Sequence, residues 1–150
     1  MAAVLTTEVR RYLERHRVGH LATADGAARP HVVPVTFALT DDAIVFVIDE
    51  KPKAAHGTQP KRMRNILVNP RVAFLVDHYD DDWSRLTYAL IVGRAEIVAR
   101  PGPAYADALT HLRARYPQYR GIDLTPERNP VVRITPERIH RWSAIPASEG

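Results

Sequence analysis

Alternating apolar and polar side chains predict that β-strands dominate this chain. The segment from Pro30 to Leu39 has apolar residues at its odd positions from 33 onward and small residues at its even positions, as expected for a strand with one buried face. An earlier strand is expected over Val18–Ala24, where the turn dipeptide Asp25-Gly26 ends it. Ala43–Ile48 is apolar throughout, which is typical of a strand buried on both faces.

The second half of the chain adds four further strand predictions. Val72–Asp77 and Leu86–Ala99 are rich in strand-forming residues, and Gly93 is expected to bend or bulge the longer of the two. Pro130–Thr135 and Ile139–Ser143 are expected to be two separate closing strands. The chain therefore carries about six or seven strands.

Three segments have the periodicity of amphipathic helices. The first is expected over Thr6–His16 and the third over Pro101–Tyr116. The second is expected over Pro60–Val68, with proline at the first helical position and Thr58 or Gln59 as the cap. These three helices are too few to lie between all successive strands.

This order of elements predicts a mainly β, α+β fold: six or seven antiparallel strands in a sheet or barrel, with about three peripheral helices. A doubly wound parallel sheet is excluded, because it needs a helix between successive strands. A length of 150 residues is typical of one domain. We therefore expect residues 1–150 to form a single domain whose tail, residues 143–150, is frayed.

Composition narrows the classes of function. The sequence has no cysteine, which excludes disulfide scaffolds, thiolate zinc sites and cysteine nucleophiles. No run approaches the roughly 18 apolar residues of a membrane span, and the N-terminus lacks the apolar core of a signal peptide, so a cytoplasmic protein is expected. Most basic residues are arginine, which together with abundant alanine and proline indicates a GC-rich genome.

Common catalytic and metal-binding motifs are missing from the sequence. It contains no Gly-x-Gly-x-x-Gly, Walker or Gly-x-Ser-x-Gly motif. His16 and His20 are four residues apart, but His20 falls in a predicted strand, so they do not form a helical metal pair. Asp80–Asp82 lacks the glycine and glutamate of a calcium loop. No metal site and no catalytic side chain are therefore predicted.

One basic segment stands out as a candidate site. The only lysines, Lys51, Lys53 and Lys61, lie within eleven residues, and Arg62 follows them at the start of the second helix. A helix N-terminus offers free N–H groups and a partial positive charge, so the segment predicts a phosphate or carboxylate site. Solvated surface charge is the alternative.

Proline and aromatic residues suggest a neighbouring surface for a flat ring. Pro34 cannot donate a ladder hydrogen bond, so it belongs at an edge, a bulge or a ligand-facing position. With Thr36 it provides a small-residue face on which a ring can lie; an edge strand protected against aggregation is the alternative. Trp83 and Trp142 can each wall a planar ring, or pack in the core or at a dimer interface.

An ordered set of short segments over residues 18–98 carries a family resemblance. They are Gly19-His20-Leu21-Ala22-Thr23, Arg29-Pro30-His31-Val32-Val33-Pro34-Val35, Ile44–Ile48, Lys61-Arg62-Met63-Arg64-Asn65-Ile66, Asn69-Pro70-Arg71-Val72, Asp77–Trp83 and Gly93-Arg94-Ala95. In this order and spacing they resemble the pyridoxamine-phosphate-oxidase-like split β-barrels, and within them the actinobacterial deazaflavin-dependent group. The C-terminal third matches more loosely, through Trp142.

The resemblance implies an FMN-binding split-barrel fold and a homodimer with two cofactor sites at its interface. It implies that the cofactor phosphate lies against Lys61 and Arg62, just before Asn65. Lys51 and Lys53 are the expected contacts of a longer anionic tail.

The resemblance also implies where the cofactor ring lies. Asp49 is expected close to the ring, and the second subunit is expected to contribute the regions of Trp83 and Trp142. The strand against which the ring would lie presents Pro34, Val35 and Thr36.

The expected function is that of an oxidoreductase dependent on coenzyme F420, which passes a hydride between the deazaflavin and a small conjugated acceptor. F420 is favoured over FMN because its tail carries several carboxylates, which suit the extended basic segment. An FMN-binding flavoprotein and a non-catalytic cofactor- or haem-binding module on the same fold stay open. A nucleic-acid-binding domain is the last alternative, because the cations cluster at one junction instead of forming a stripe.

Overall fold

Seven antiparallel strands form one curled sheet in the computed structural model, which describes residues 2–49 and 59–144. The strands are β1 Val18–Ala24, β2 Pro30–Thr36, β3 Ala38–Leu39, β4 Ile44–Val47, β5 Arg71–His78, β6 Thr87–Val98 and β7 Val131–Ser143. The helices are α1 Thr7–Glu14, α2 Lys61–Val68 and α3 Pro103–Arg115. Across the sheet the order is β2-β1-β5-β6-β7-β4-β3. The predicted α+β, split-barrel type of fold is confirmed.

The long β6–β7 pair forms the centre of the sheet. The two strands pair from Thr87 opposite Ser143 to Val98 opposite Val131, with a register shift between Val92 and Gly93. A Cβ atom at Gly93 would collide with the carbonyl oxygen of Thr135, so only glycine fits this close approach of two backbones. The predicted bulge at Gly93 is confirmed.

Two predicted strand boundaries are wrong, each because of a distant residue. The two predicted closing strands are one continuous β7, since Pro136 lies opposite Gly93 at the register shift, where a missing ladder hydrogen bond is tolerated. The predicted strand from Pro30 to Leu39 is divided into β2 and β3. At the division the Phe37 amide donates to the Tyr116 hydroxyl (3.0 Å) instead of to a neighbouring strand.

Strand β4 separates two hydrophobic clusters. Phe46 belongs to the main core, which the inner face of the sheet forms with α1. Val45 and Val47 face a second cluster, in which α3 packs with Tyr105, Leu109 and Leu112. The apolar run of β4 is therefore buried on both faces, as its sequence predicts.

The helix ends agree only partly with the predicted caps. Thr6 caps α1 by accepting a hydrogen bond from the Val9 amide (3.3 Å). The cap of α2 is Pro60 itself, in extended conformation, and no side chain of the described residues caps this helix. The predicted cap at Gln59 is wrong, and Thr58 lies outside the described residues.

Strand β7 continues to the last of the described residues but one. Ser143 closes β7 and the Ala144 amide donates to the Leu86 carbonyl (2.9 Å), whereas the rest of the predicted frayed tail, residues 145–150, lies outside the described residues. Over the described ranges, none of the helices is both long and apolar enough to cross a membrane.

Candidate functional site

A cavity of about 340 Å³ opens where β2, the end of β4 and the start of α2 converge. This volume lies at the lower end of the range found for small-molecule sites. Within the described residues the cavity is lined by Val33, Pro34, Val35, Thr36, Phe46, Val47, Asp49, Arg62 and Tyr119. Five of the predicted site residues therefore meet in one place: Pro34, Val35, Thr36, Asp49 and Arg62.

One wall of this cavity is formed by β2, which is an edge strand. In the described sheet β2 pairs with β1 and ends the order of strands. Val35 points into the main core, so Pro34 and Thr36 on either side of it are exposed on the opposite face. An edge strand tolerates a residue that lacks an amide hydrogen. Pro34 therefore lies at an edge, as one of its two alternatives requires, and it also borders the cavity.

The start of α2 supplies positive charge at another wall. Arg62 is half-buried and lines the cavity, whereas Lys61 is exposed and is not among the lining residues. The first amides of a helix have no partner within the helix itself, and the helix dipole adds partial positive charge at that end. Arg62 and the start of α2 together suit an anionic group. Lys51 and Lys53 lie outside the described residues.

Tyr119 is a lining residue that the sequence analysis did not identify. Its hydroxyl lies 3.1 Å from Thr36 Oγ1 and 3.1 Å from Asp49 Oδ2. Burial, reinforced by the Asp49 carboxylate, raises the pKa of Tyr119 to about 12. It lies in the short 3₁₀ turn Pro117–Tyr119 after α3, a segment without periodicity, so no local signal marks it as a site residue.

Asn65 does not reach the cavity. Its side chain is buried, and its amide Nδ2 donates to Thr23 Oγ1 at 3.0 Å. Both partners are buried polar groups, so each satisfies the other. Asn65 therefore fastens α2 to β1 and so helps to hold Arg62 in position.

Neither tryptophan is among the described residues that line the cavity. Trp83 is 70% exposed in a 3₁₀ turn, and Trp142 is 40% exposed and stacks on Tyr88 with ring centroids 5.6 Å apart. Trp142 follows Val132, the partner of Phe46, by ten residues along β7. Ten residues correspond to about 33 Å of chain along the strand, and Trp142 is not among the described residues that line the cavity.

The described residues hold no group of three histidine, aspartate or glutamate side chains placed to bind a metal ion. Among the described residues, the polar side-chain groups that line the cavity are one guanidinium, one carboxylate and two hydroxyls. Such a lining binds an organic ligand through a few directed hydrogen bonds and one charge.

Comparisons with known proteins agree with this architecture. The chain is 28% identical over 109 residues, 69% of this chain and 74% of the relative, to a 5a,11a-dehydrotetracycline/5a,11a-dehydrooxytetracycline reductase of Streptomyces rimosus. The heme storage protein HutZ of Vibrio cholerae has the same fold, with a TM-score of 0.68 at 17% identity, covering 94% of this chain and 95% of that one. A FAD-binding protein of Mesorhizobium loti matches with a TM-score of 0.64 at 19% identity, covering 94% and 96%. The family model described as pyridoxamine 5'-phosphate oxidase matches residues 5–143, and the chain belongs to that family.

Proposed function

We propose that this protein is an F420-dependent reductase that passes a hydride between the deazaflavin and a small conjugated acceptor in the cytoplasm. The observation that carries the proposal is the cavity in which the exposed face of Pro34 and Thr36 meets Arg62 at the start of α2. A flat ring fits against the short side chains of β2, and an anionic group fits beside the guanidinium. This arrangement supports a ligand that has a flat ring and an anionic group.

The relatives support the class of reaction. The Streptomyces rimosus relative is a reductase of a dehydrotetracycline, which is a conjugated polycyclic acceptor. The Mesorhizobium loti protein is FAD-binding, which favours a flavin-type ring on this fold. F420 is preferred to FMN because its tail carries several carboxylates, and Lys51 and Lys53 lie in the same basic segment of the sequence as Lys61 and Arg62.

The residues around the cavity have distinct parts in this proposal. When bound, the cofactor supplies the hydride chemistry. Arg62 holds an anionic part of the cofactor, and the apolar wall of Val33, Phe46 and Val47 excludes water from the ring. Asp49 and Tyr119 hold Thr36 in one orientation. Proximity and exclusion of water are the protein's contributions.

Titration of the apo-protein with F420, FMN and hemin tests the proposed function. Binding is followed calorimetrically, because neither tryptophan borders the cavity within one protomer. We expect F420 to bind with a Kd in the low micromolar range or below, and FMN to bind more weakly. Tighter binding of FMN would make the protein a flavin enzyme, and hemin as the only ligand would support a haem-binding module, as in the Vibrio cholerae neighbour.

A homodimer is part of the proposal. The candidate contact surface, called here the aromatic patch, consists of exposed Trp83 in the β5–β6 connection and of exposed Trp142, which stacks on the half-buried Tyr88 near the end of β7. Trp83 and Trp142 are large exposed side chains, of the type enriched in protein interfaces. Contact through this patch would bring the tryptophans of one protomer toward the cavity of the other.

Sedimentation velocity tests the dimer. We expect the 16.9 kDa chain to sediment as a dimer at micromolar concentration, and Trp142→Arg to shift it toward the monomer, because a buried unpaired charge opposes association. Ile122→Arg is the matched control, since Ile122 is also exposed and apolar but lies outside the patch. A monomeric wild-type protein would refute a site shared between two copies.

A further inference from the structure

In the hydrogen bonds among Thr36, Tyr119 and Asp49 at the cavity wall, the chemistry of the three side chains determines which group donates. Thr36, Tyr119 and Asp49 form a chain in which each of the two hydrogen bonds is 3.1 Å long. A carboxylate only accepts hydrogen bonds, so the Tyr119 hydroxyl must donate its hydrogen to Asp49 Oδ2. That hydroxyl has no second hydrogen, and the bond to Thr36 must therefore be donated by Thr36 Oγ1.

The environment of Tyr119 keeps this direction stable. The pKa of Tyr119 is raised to about 12, chiefly by burial, so the phenol keeps its hydrogen at neutral pH. The backbone next to Thr36 is also held, because the Phe37 amide donates to the Tyr116 hydroxyl and the Phe37 carbonyl accepts from it. Tyr116 and Tyr119 pack edge to face, with centroids 5.8 Å apart. Thr36 is thus fixed in both position and hydrogen-bond polarity.

Apart from the two hydroxyls, Asp49 is the acceptor among the described lining side chains. Val33, Pro34, Phe46 and Val47 offer no polar side-chain atom, and Arg62 only donates. Asp49 accepts from Tyr119 through Oδ2, and its other oxygen, Oδ1, keeps lone pairs of its own. The Thr36 hydroxyl donates its only hydrogen to Tyr119. Toward the cavity it can therefore only accept a hydrogen bond.

We propose that Thr36 is a specificity-determining acceptor, which selects ligands that present an N–H donor toward β2. This inference rests on the proposed function and deepens it. In both deazaflavin and flavin rings the imide nitrogen of the pyrimidinedione carries such a hydrogen, so this edge of the ring is the one that Thr36 recognises. Tyr119 and Asp49 are positioning residues, because they act on the ligand by fixing the orientation of the Thr36 hydroxyl.

The test compares the cofactor with its N3-methyl derivative, which lacks the imide hydrogen. Whichever of F420 and FMN binds the wild-type protein more tightly is titrated alongside that derivative. We expect the wild-type protein to prefer the N–H form by about tenfold, the upper end of the range for one neutral hydrogen bond. Thr36→Val should reduce the preference by about five- to tenfold, whereas Thr36→Ser should retain it.

Valine has the shape of threonine, so the comparison separates the hydrogen bond from the bulk of the methyl group. A purely steric penalty would be the same in wild-type protein and in Thr36→Val. Thr110→Val is the matched control, because Thr110 is exposed on α3 and bonds only within that helix. It should leave the preference unchanged.

Tyr119→Phe tests the positioning role. The ring can still pack on Tyr116, but Thr36 loses the group that takes its hydrogen, so the preference should fall at least threefold while the unfolding midpoint changes little. Equal preference in wild-type protein, Thr36→Val and Tyr119→Phe, with tight binding throughout, would overturn this inference alone. Failure of F420 and FMN to bind at all would overturn the proposed function and this inference with it.

Discussion

Replacement of Gly19 with alanine is expected to lower the free energy of unfolding by about 1–3 kcal/mol, the usual cost of overpacking a core. A Cβ atom at Gly19 would overlap the ring of Phe74. Phe74 is fully buried and packs edge to face on Phe37, with centroids 5.0 Å apart, so its ring has little room to move. Gly19 also pairs with Val35, which places this contact directly behind the cavity wall. Urea denaturation measures the change.

Two further variants test whether the loss of stability comes from the overlap with Phe74. Gly26→Ala adds the same methyl group where nothing lies within 4 Å, and it should alter stability by less than about 0.5 kcal/mol. In a Phe74→Leu background the smaller side chain leaves room for a Cβ atom, so Gly19→Ala should cost less there than in the wild-type chain. An identical cost in both backgrounds would show that Phe74 is not the obstacle.

Arg62→Ala is expected to weaken binding of F420 by about 10- to 150-fold, which corresponds to loss of a charge-assisted hydrogen bond worth about 1.5–3 kcal/mol. Arg62 is half-buried at the cavity, where water screens its charge less than on the open surface. Calorimetric titration measures the affinity, and an unchanged unfolding midpoint shows that the fold is intact.

The neighbouring residue provides the control for Arg62. Lys61→Ala removes the same charge one position earlier on α2, but Lys61 is exposed and does not line the cavity. We expect a change of no more than about threefold, because an exposed charge contributes little. An equal or larger effect at Lys61 would mean that the anionic group lies outside the cavity, on the surface of α2.

Strands with local signals were predictable from the sequence. The turn dipeptide Asp25-Gly26 marked the end of β1, and the uniformly apolar run predicted that β4 is buried on both faces. The bulge in β6 was predictable from Gly93, because a close approach of two backbones requires glycine. The division at Phe37 and the continuity of β7 through Pro136 depend on Tyr116 and on the opposite strand. A window of neighbouring residues contains no information on such contacts.

The same distinction applies to the candidate site. Pro34, Thr36 and Arg62 are marked by local features, namely a proline in a strand and a cation at a helix start. Tyr119 joins Thr36 across 83 residues of sequence, so only the folded chain reveals it. Asn65 lies in the expected helix, but its amide points inward to Thr23. Helical periodicity alone does not decide between a buried partner and a ligand for an asparagine.

The hydroxyls of Tyr116 and Tyr119 join the turn after α3 to a strand from the first third of the chain. These bonds span 79 and 83 residues, and contacts of such separation require the closure of a long loop before they stabilise anything. The cavity wall is therefore completed only when α3 and the turn after it dock, and transient undocking of this segment would abolish the orientation of Thr36 without unfolding the sheet. Ligand binding would favour the docked state, and slower hydrogen exchange of the Phe37 amide would report it.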